Sequence, residues 1–134
     1  MKAVATKSVE QQTAAPQSIT IPQLAEGEHY AGIIIENGRI SHHLVLLPGE
    51  LASGTWKKSI DWAKKKGGEL PTRSEQALLY ANLKTQFQSS WYWSGEQYAP
   101  DDGYAWCQNF GYGYQNYYRK NGNGRARAVR RLPI

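Results

Sequence analysis

The chain has 134 residues and a formal charge of +5, sixteen lysines and arginines against eleven acids. That is enough chain for one domain with a real core, and no apolar run approaches the ~20 residues of a membrane-spanning helix. The single cysteine, Cys107, excludes an internal disulfide; with a start that carries lysine but no apolar signal-peptide segment, it points to folding in a reducing cytosol.

Residues 1–28 are rich in Gln, Thr, Ala, Ser and Pro and poor in large apolar side chains. They read as an extended N-terminal arm or docking segment, because such a stretch cannot bury itself. Ile19–Ile21 is the one short run in it suited to adding a strand to a neighbour. The globular part, residues 29–134, opens with a predicted hairpin. Ile33–Ile35 and Arg39–Leu47 flank Asn37-Gly38, a pair suited to a type I′ turn. His42 and His43 are adjacent, so on a strand they face opposite ways and cannot jointly chelate a metal.

Thr55–Lys66 has the pattern of a helix. Trp56, Ile60 and Ala63 form its apolar stripe, Lys64–Lys66 suit its C-terminal dipole, and Gly67-Gly68 ends it. Thr72-Arg73-Ser74-Glu75 is a capping box after Pro71. The helix it starts is predicted to run to about Lys84 and to bury Ala77, Leu78 and Ala81 or their neighbours. From Trp91 the chain breaks into short segments split by Gly, Asn, Pro and Asp, the signature of small strands. Trp91, Trp93, Trp106 and Phe110 are the expected aromatic core there.

Charge is uneven. Residues 1–60 carry five basic and five acidic groups, and residues 61–102 carry five and six. After Asp102 there is no acid, and Arg119, Lys120, Arg125, Arg127, Arg130 and Arg131 give +6. A basic end can bind nucleic acid. These arginines alternate along strand-like segments rather than forming a helix face or a lysine tail, so half-buried arginines paired with carboxylates elsewhere are the better expectation, and nucleic acid is not the expected partner.

Five stretches in order resemble a known family: Tyr30–Ile33 (YAGI), His42–Glu50 (HHLVLLPGE), Gly67–Glu75 (GGELPTRSE), Trp91–Tyr98 (WYWSGEQY) and Arg125–Arg131 (RARAVRR). Over about residues 28–134 the chain resembles the C-type lectin-like domains of phage tail-associated and prophage proteins. These are related to the variable proteins of diversity-generating retroelements and to the C-terminal domains of collagen-like bacterial adhesins. The resemblance implies an α+β fold, a small twisted antiparallel sheet with two helices, and binding by the late strands and their loops. It also implies a fixed frame (Ala105, Trp106, Gln108, Phe110, Gly113, Gln115, Lys120 and Arg125–Arg131), with Trp106 and Phe110 on one face at period two. Every residue between the frame positions is reachable from an Asn codon by changing adenines, the pattern adenine-directed mutagenesis leaves.

The residues between the frame positions include Gly111, Arg119, Gly122 and Gly124 as well as the candidate ligand-binding residues, which are Cys107, Asn109, Tyr112, Tyr114, Asn116, Tyr117, Tyr118, Asn121 and Asn123. Tyr supplies rigid amphipathic contact area, while Asn and Gly supply adaptable polar contact. One exposed patch is expected, with Tyr117 and Tyr118 facing opposite ways if they share a strand.

Enzyme readings lack support. The formylglycine-generating enzyme, a relative of this fold, relies on a cysteine pair, and Cys107 stands alone. No Ser–His–Asp motif is present, and Gly111, Gly113, Gly122 and Gly124 do not precede a helix as a phosphate loop does. Asp101-Asp102 lacks the Glu-Pro-Asn or Trp-Asn-Asp triplets of calcium-dependent lectins and reads as a turn, so no cofactor or metal is expected. The resemblance implies a non-enzymatic phage virion protein of the tail tip, fibre or baseplate. Its arm would dock to other virion proteins and its face would recognise a host surface protein or glycan. A homo-oligomer, with a trimer as one arrangement, suits such a role. The alternative is a structural or decoration subunit whose domain only contacts other subunits.

Overall fold

The computed structural model describes residues 18–134. Asn37 and Gly38 both take positive φ, 52° and 76°, the conformations a type I′ turn needs. They join β1 (His29–Glu36) to β2 (Arg39–Leu46). After β3 (Leu51–Gly54), Thr55 caps α1 (Trp56–Lys65) by accepting from the Lys58 amide. Gly67, at φ 86°, ends it: its amide reaches the Lys64 carbonyl and that of Gly68 reaches Ala63, the paired bonds of a Schellman motif. The capping box at Thr72 and Glu75 starts α2 (Arg73–Leu83), which a 3₁₀ turn at Lys84–Gln86 extends. The rest is strand: β4 (Trp91–Gln97), β5 (Tyr104–Asn109), β6 (Gln115–Arg119), β7 (Gly124–Ala126) and β8 (Val129–Pro133).

The fold is α+β with mixed pairing. A three-stranded sheet has order β1-β2-β8, and a five-stranded sheet has order β3-β7-β4-β5-β6. This corrects the single antiparallel sheet expected from sequence. After β6 the chain crosses to the far side of β4, so β7 lies parallel to it, with Tyr92 opposite Arg125. The C-terminal strand β8 lies beside β2, with β1 on the other side.

Two apolar clusters hold these layers. One joins Ile34, Leu44, Leu46 and Val129 of the three-stranded sheet to Leu79 of α2 and to Tyr92 and Phe110. The other joins Ala63 of α1 to Trp93, Ala105, Cys107, Ala126 and Ala128. The α1 stripe is as predicted, with Ala63 buried and Trp56 and Ile60 half-buried. The inner face of α2 differs. Ala77 and Ala81 are exposed and Leu78 is half-buried, whereas Glu75, Gln76 and Leu79 are buried. The reason is polar: Gln76 donates from Nε2 to the Tyr92 carbonyl at 3.0 Å, and Glu75 receives Arg131 from β8 at 2.7 and 2.8 Å. Those bonds rotate α2 so that two polar residues point inward.

The aromatic core also needs correction. Trp93 and Phe110 are buried, but Trp91 and Trp106 are only half-buried. Trp106 lies at an end of the β5 face where Arg73, rather than apolar side chains, covers it, the guanidinium 3.5 Å from the ring centroid.

The C-terminal arginines pair across the fold. Arg125 meets Glu50, Arg130 meets Glu28 and Arg131 meets Glu69 and Glu75. Of the predicted arm, residues 18–28 form no strand, and Ile19 and Ile21 are exposed. Its inner end is tied down by Glu28 and by the Gln23 carbonyl, both on Arg130. Residues 1–17 lie outside the described residues.

Candidate functional site

Register decides which late residues meet. Trp91 pairs with Asn109, Tyr92 with Gln108 and Trp93 with Cys107. On the other side of β5, Trp106 pairs with Tyr117, Cys107 with Asn116 and Ala105 with Tyr118. Directly opposed residues share a face. One face of β4-β5-β6 therefore carries Trp91, Trp93, Cys107, Asn116 and Tyr118. The other carries Tyr92, Trp106, Gln108 and Tyr117.

The first face holds a groove of about 430 Å³, lined by Trp91, Trp93, Tyr104, Cys107, Tyr117, Tyr118, Arg119, Gly122, Asn123 and Gly124. Trp93 forms its inner wall. That indole is fixed by donation from Nε1 to the Gly54 carbonyl at 2.9 Å. Gly124 must be glycine, because a Cβ there would lie 2.9 Å from the same nitrogen. Trp91 stands at the outer wall, with Tyr114 and Tyr118 packed edge-on to it at centroid distances of 5.2 and 5.1 Å. Tyr112 continues the row, 6.4 Å from Tyr114 and 81% exposed. The turn carrying these rings needs Gly113: its φ is 90°, and a Cβ would strike Tyr80 of α2 at 2.7 Å.

The second face is a separate aromatic assembly. Tyr117 stacks on Tyr98 at 3.9 Å and 14°, and both pack against Trp106. Phe110 sits on this face too, buried against Tyr92 at 5.2 Å and Phe87 at 3.9 Å. Trp106 and Phe110 thus share a face, but apolar side chains cover the Phe110 end while Arg73, at the start of α2, covers the Trp106 end.

The nine predicted site residues do not form one patch. Tyr112, Tyr114, Asn116, Tyr118 and Asn123 gather on the groove side. Tyr117 is 41% exposed but projects from the opposite face, as strand alternation requires. Asn109 is half-buried and structural, its Oδ1 accepting from the Gly111 and Tyr112 amides at 2.7 and 2.8 Å. Asn121 is exposed at a different hollow, with Trp56, Ile60 and Lys120. Cys107 is not a surface residue: it is 3% exposed, and its Sγ donates to the Asn116 carbonyl at 3.4 Å. Burial pushes its thiol up to about 12, so it stays protonated at neutral pH and is a poor nucleophile. It contributes to the groove floor by shape alone.

The sequence reading missed Trp91 and Trp93 as groove residues because it assigned both wholly to the core; Gly122 and Gly124 lay between the frame positions but outside the candidate set. A signal was present: two tryptophans two apart on a strand share a face, and an Asn-Gly-Asn-Gly run lets main chain approach closely.

No acidic side chain lines the groove. Arg119 lines it as a cation, its Nε donating to the hydroxyl of Tyr104, another lining residue, at 3.4 Å. Among the described residues, no three His, Cys, Asp or Glu side chains are placed to hold a metal ion. Asp101 instead closes a turn, its Oδ1 accepting from the Gly103 amide at 2.9 Å. No protein-family model matches the chain, and no curated protein is similar to it.

Proposed function

We propose that the protein is a non-enzymatic, C-type lectin-like binding module of a phage virion, placed at the tail tip, fibre or baseplate, that recognises a host-surface receptor. The observation that carries this reading is the aromatic row Tyr112-Tyr114-Trp91-Tyr118 beside a preformed groove. Tyr112, Tyr114 and Tyr118 remain 43–81% exposed. Tyrosines presented this way give large contact area with little loss of side-chain freedom. The virion setting comes from the five-segment resemblance, and the N-terminal arm serves there to dock the module on a neighbouring virion protein.

A second reading has an observation of its own. Ile35 and Ile40, paired at the tip of the β1-β2 hairpin, and Ile134 are more than half exposed. Aliphatic side chains of that kind suit a permanent subunit contact, as in a decoration subunit or a homo-oligomer.

The deciding experiment locates the chain on purified particles and measures host-cell binding by the purified protein. Receptor recognition expects a distal position and about tenfold or greater loss of cell binding for the Tyr112→Ala/Tyr114→Ala double variant. Normal cell binding by that variant, or burial of the row against neighbouring subunits, replaces the reading with the structural one.

A further inference from the structure

We infer that two copies of this chain associate by strand exchange, Ile19–Ile21 of each adding to the free half of β1, Ile33–Glu36, of the other. The inference goes beyond the binding-module reading and does not depend on it.

A sheet edge carries unpaired N–H and C=O groups that take up a foreign strand unless the edge is blunted. The four edges are β1, β3, β6 and β8. β3 is four residues long and irregular, since Leu51 faces Ala126 but Gly54 faces Gly124, which leaves an extra residue on β3. On β6 the Tyr117 amide is already taken by Asn116 Oδ1 at 2.8 Å. On β8 the Val129 amide and carbonyl both bond Glu69, Arg131 reaches over to the Leu70 carbonyl, and Pro133 has no N–H to give.

β1 is different, because only its first half is covered. Asn82 donates from Nδ2 to the Ala31 carbonyl at 2.6 Å, and Leu78 stands beside Gly32. From Ile33 to Glu36, among the described residues, only β2 bonds the main chain. The register shift near the hairpin tip puts its extra residue, Ser41, on β2, so β1 runs regularly from Gly32 to Glu36. This free half also carries Ile35, which with its partner Ile40 forms the exposed aliphatic pair.

The donor has matching chemistry. Ile19-Thr20-Ile21 is β-branched throughout, and Pro22 biases Ile21 toward extended backbone. On a strand Ile19 and Ile21 share a face, and both are exposed in the single chain. Among the described residues nothing bonds the main chain of Ser18–Pro22. Neither Gln11–Ala25 nor Ala31–Ile35 holds a charged residue, so pairing them takes no charge out of water.

The arm is kept from its own edge. The Glu28 amide bonds the Ala25 carbonyl at 3.2 Å, a turn that would let the arm return beside its own β1 as a hairpin. It is drawn the other way: Arg130 of β8, at the opposite edge of the sheet, holds Glu28 and the Gln23 carbonyl. Beyond that pin, the stretch from Gln23 back to Ser18 spans about 17 Å when extended, enough to lie along the ~13 Å of Ile33–Glu36. Each chain has one donor and one acceptor, so reciprocal exchange leaves neither unfilled and closes as a two-fold pair.

The experiment measures the molar mass of the full chain by sedimentation equilibrium up to about 100 µM, where a contact of micromolar strength is saturated. The expected result is twice the monomer mass at the top of that range, falling to the monomer on dilution. Ile19→Asp/Ile21→Asp puts charge on the arm and Ile35→Lys puts it on the edge; each should weaken association about tenfold or more. Mixing the two variants should bring back a two-chain species, because one still offers an edge and the other still offers an arm. Melting of each variant in dilute solution reports its fold. Amide exchange on the parent reads the same contact with no variant at all, so it decides should a variant unfold: Ile19–Ile21 and Ile33–Glu36 should slow together as concentration rises. A parent that stays monomeric at about 100 µM overturns the inference, as does exchange at those two segments that ignores concentration. So does a folded arm variant that still pairs, which would mean that the hairpin tips meet each other, and so does a mixture of folded variants that stays monomeric.

Discussion

Gly124→Ala tests how the groove is built. The new Cβ would lie 2.9 Å from Trp93 Nε1 and 3.2 Å from both Cδ1 and Cε2. Those contacts are closer than carbon and nitrogen tolerate, so something must move. The indole is poorly placed to yield: it is 3% exposed, and its N–H is committed to the Gly54 carbonyl. Swinging it away breaks that bond, worth ~1 kcal/mol net, and disturbs its packing with Ala105 and Ala126. The alternative is to move β7, which is pinned by β3 on one side and β4 on the other. Overpacking of this kind costs ~1–3 kcal/mol. For a domain of this size each kcal/mol lowers Tm by about 4 °C, so calorimetry should show a drop of ~4–12 °C. Gly122→Ala is the internal control, because its Cβ meets only the Arg119 carbonyl at 3.2 Å in an exposed loop; it should melt within a degree or two of the parent. Gly124→Ala melting with the parent, and with unchanged tryptophan emission, would refute the claim that Trp93 is fixed by close main-chain approach.

Trp93→Ala should cost ~3–5 kcal/mol as a large buried truncation. Trp106→Ala, half-buried under Arg73, should cost only about 1–2 kcal/mol; chemical denaturation of the two variants side by side reads the difference, and equal losses would undo the assignment of faces. At Glu75, burial raises the carboxyl but the Arg131, Thr72 and His42 hydrogen bonds outweigh it and hold it below its ordinary value of 4.5. A lowered folded value means this stabilisation is complete above pH 4.5 and drains away as pH falls through the folded value. Glu75→Gln should therefore cost ~3 kcal/mol at pH 7, and the gap to the parent should narrow below pH 4; a constant gap across acid pH would show that charge plays no part. Arg130→Ala should leave the melting temperature nearly unchanged while amide exchange quickens across residues 18–28, since Arg130 holds both Glu28 and the Gln23 carbonyl; unaltered exchange there would mean the segment is held by something else.

Local chemistry was legible in the sequence wherever it was self-contained. The Asn37-Gly38 turn, the Gly67-Gly68 stop and the Thr72–Glu75 box each depend on residues within a few positions, and each formed as read. What could not be read was set by distant partners. Glu75 belongs to a capping box, but it is buried because Arg131 arrives from 56 residues away. That contact turned α2 and displaced Ala77 and Ala81 from the inner face. Trp106 looked like core because tryptophan is large and apolar, and only the path of α2 decides that Arg73 covers it instead. The site was half legible for the same reason. Alternation correctly sets Tyr117 against Tyr118, but the burial of Cys107 depends on the cluster it joins with Trp93, Ala105, Ala126 and Ala63 of α1. The groove itself requires the loop after β6 to cross β4, a parallel return that no local motif announces.

The acid-free end of the chain has a physical role that needs no polyanion. Arg125, Arg130 and Arg131 reach back to Glu50, Glu28, Glu69 and Glu75, so acids early in the chain neutralise bases late in it. Arg127 goes further inside, where its guanidinium donates to the Gln86 and Leu47 carbonyls at 2.5 and 2.9 Å. Burial lowers its pKa from the usual arginine value, but a guanidinium keeps its proton under those conditions. Lys120 lies over the Trp56 ring at 4.6 Å and donates to Gln97. The late cations are thus largely consumed in stitching β7 and β8 to elements laid down earlier. Among the described residues the exposed cations are Arg39, Lys57, Lys58, Lys64–Lys66, Lys84 and Arg119. The Tyr- and Asn-rich run and the arginine-rich run, adjacent in sequence, thus do different work: the first is displayed on β6 and its turns, while most of the second is drawn into the fold that holds it up.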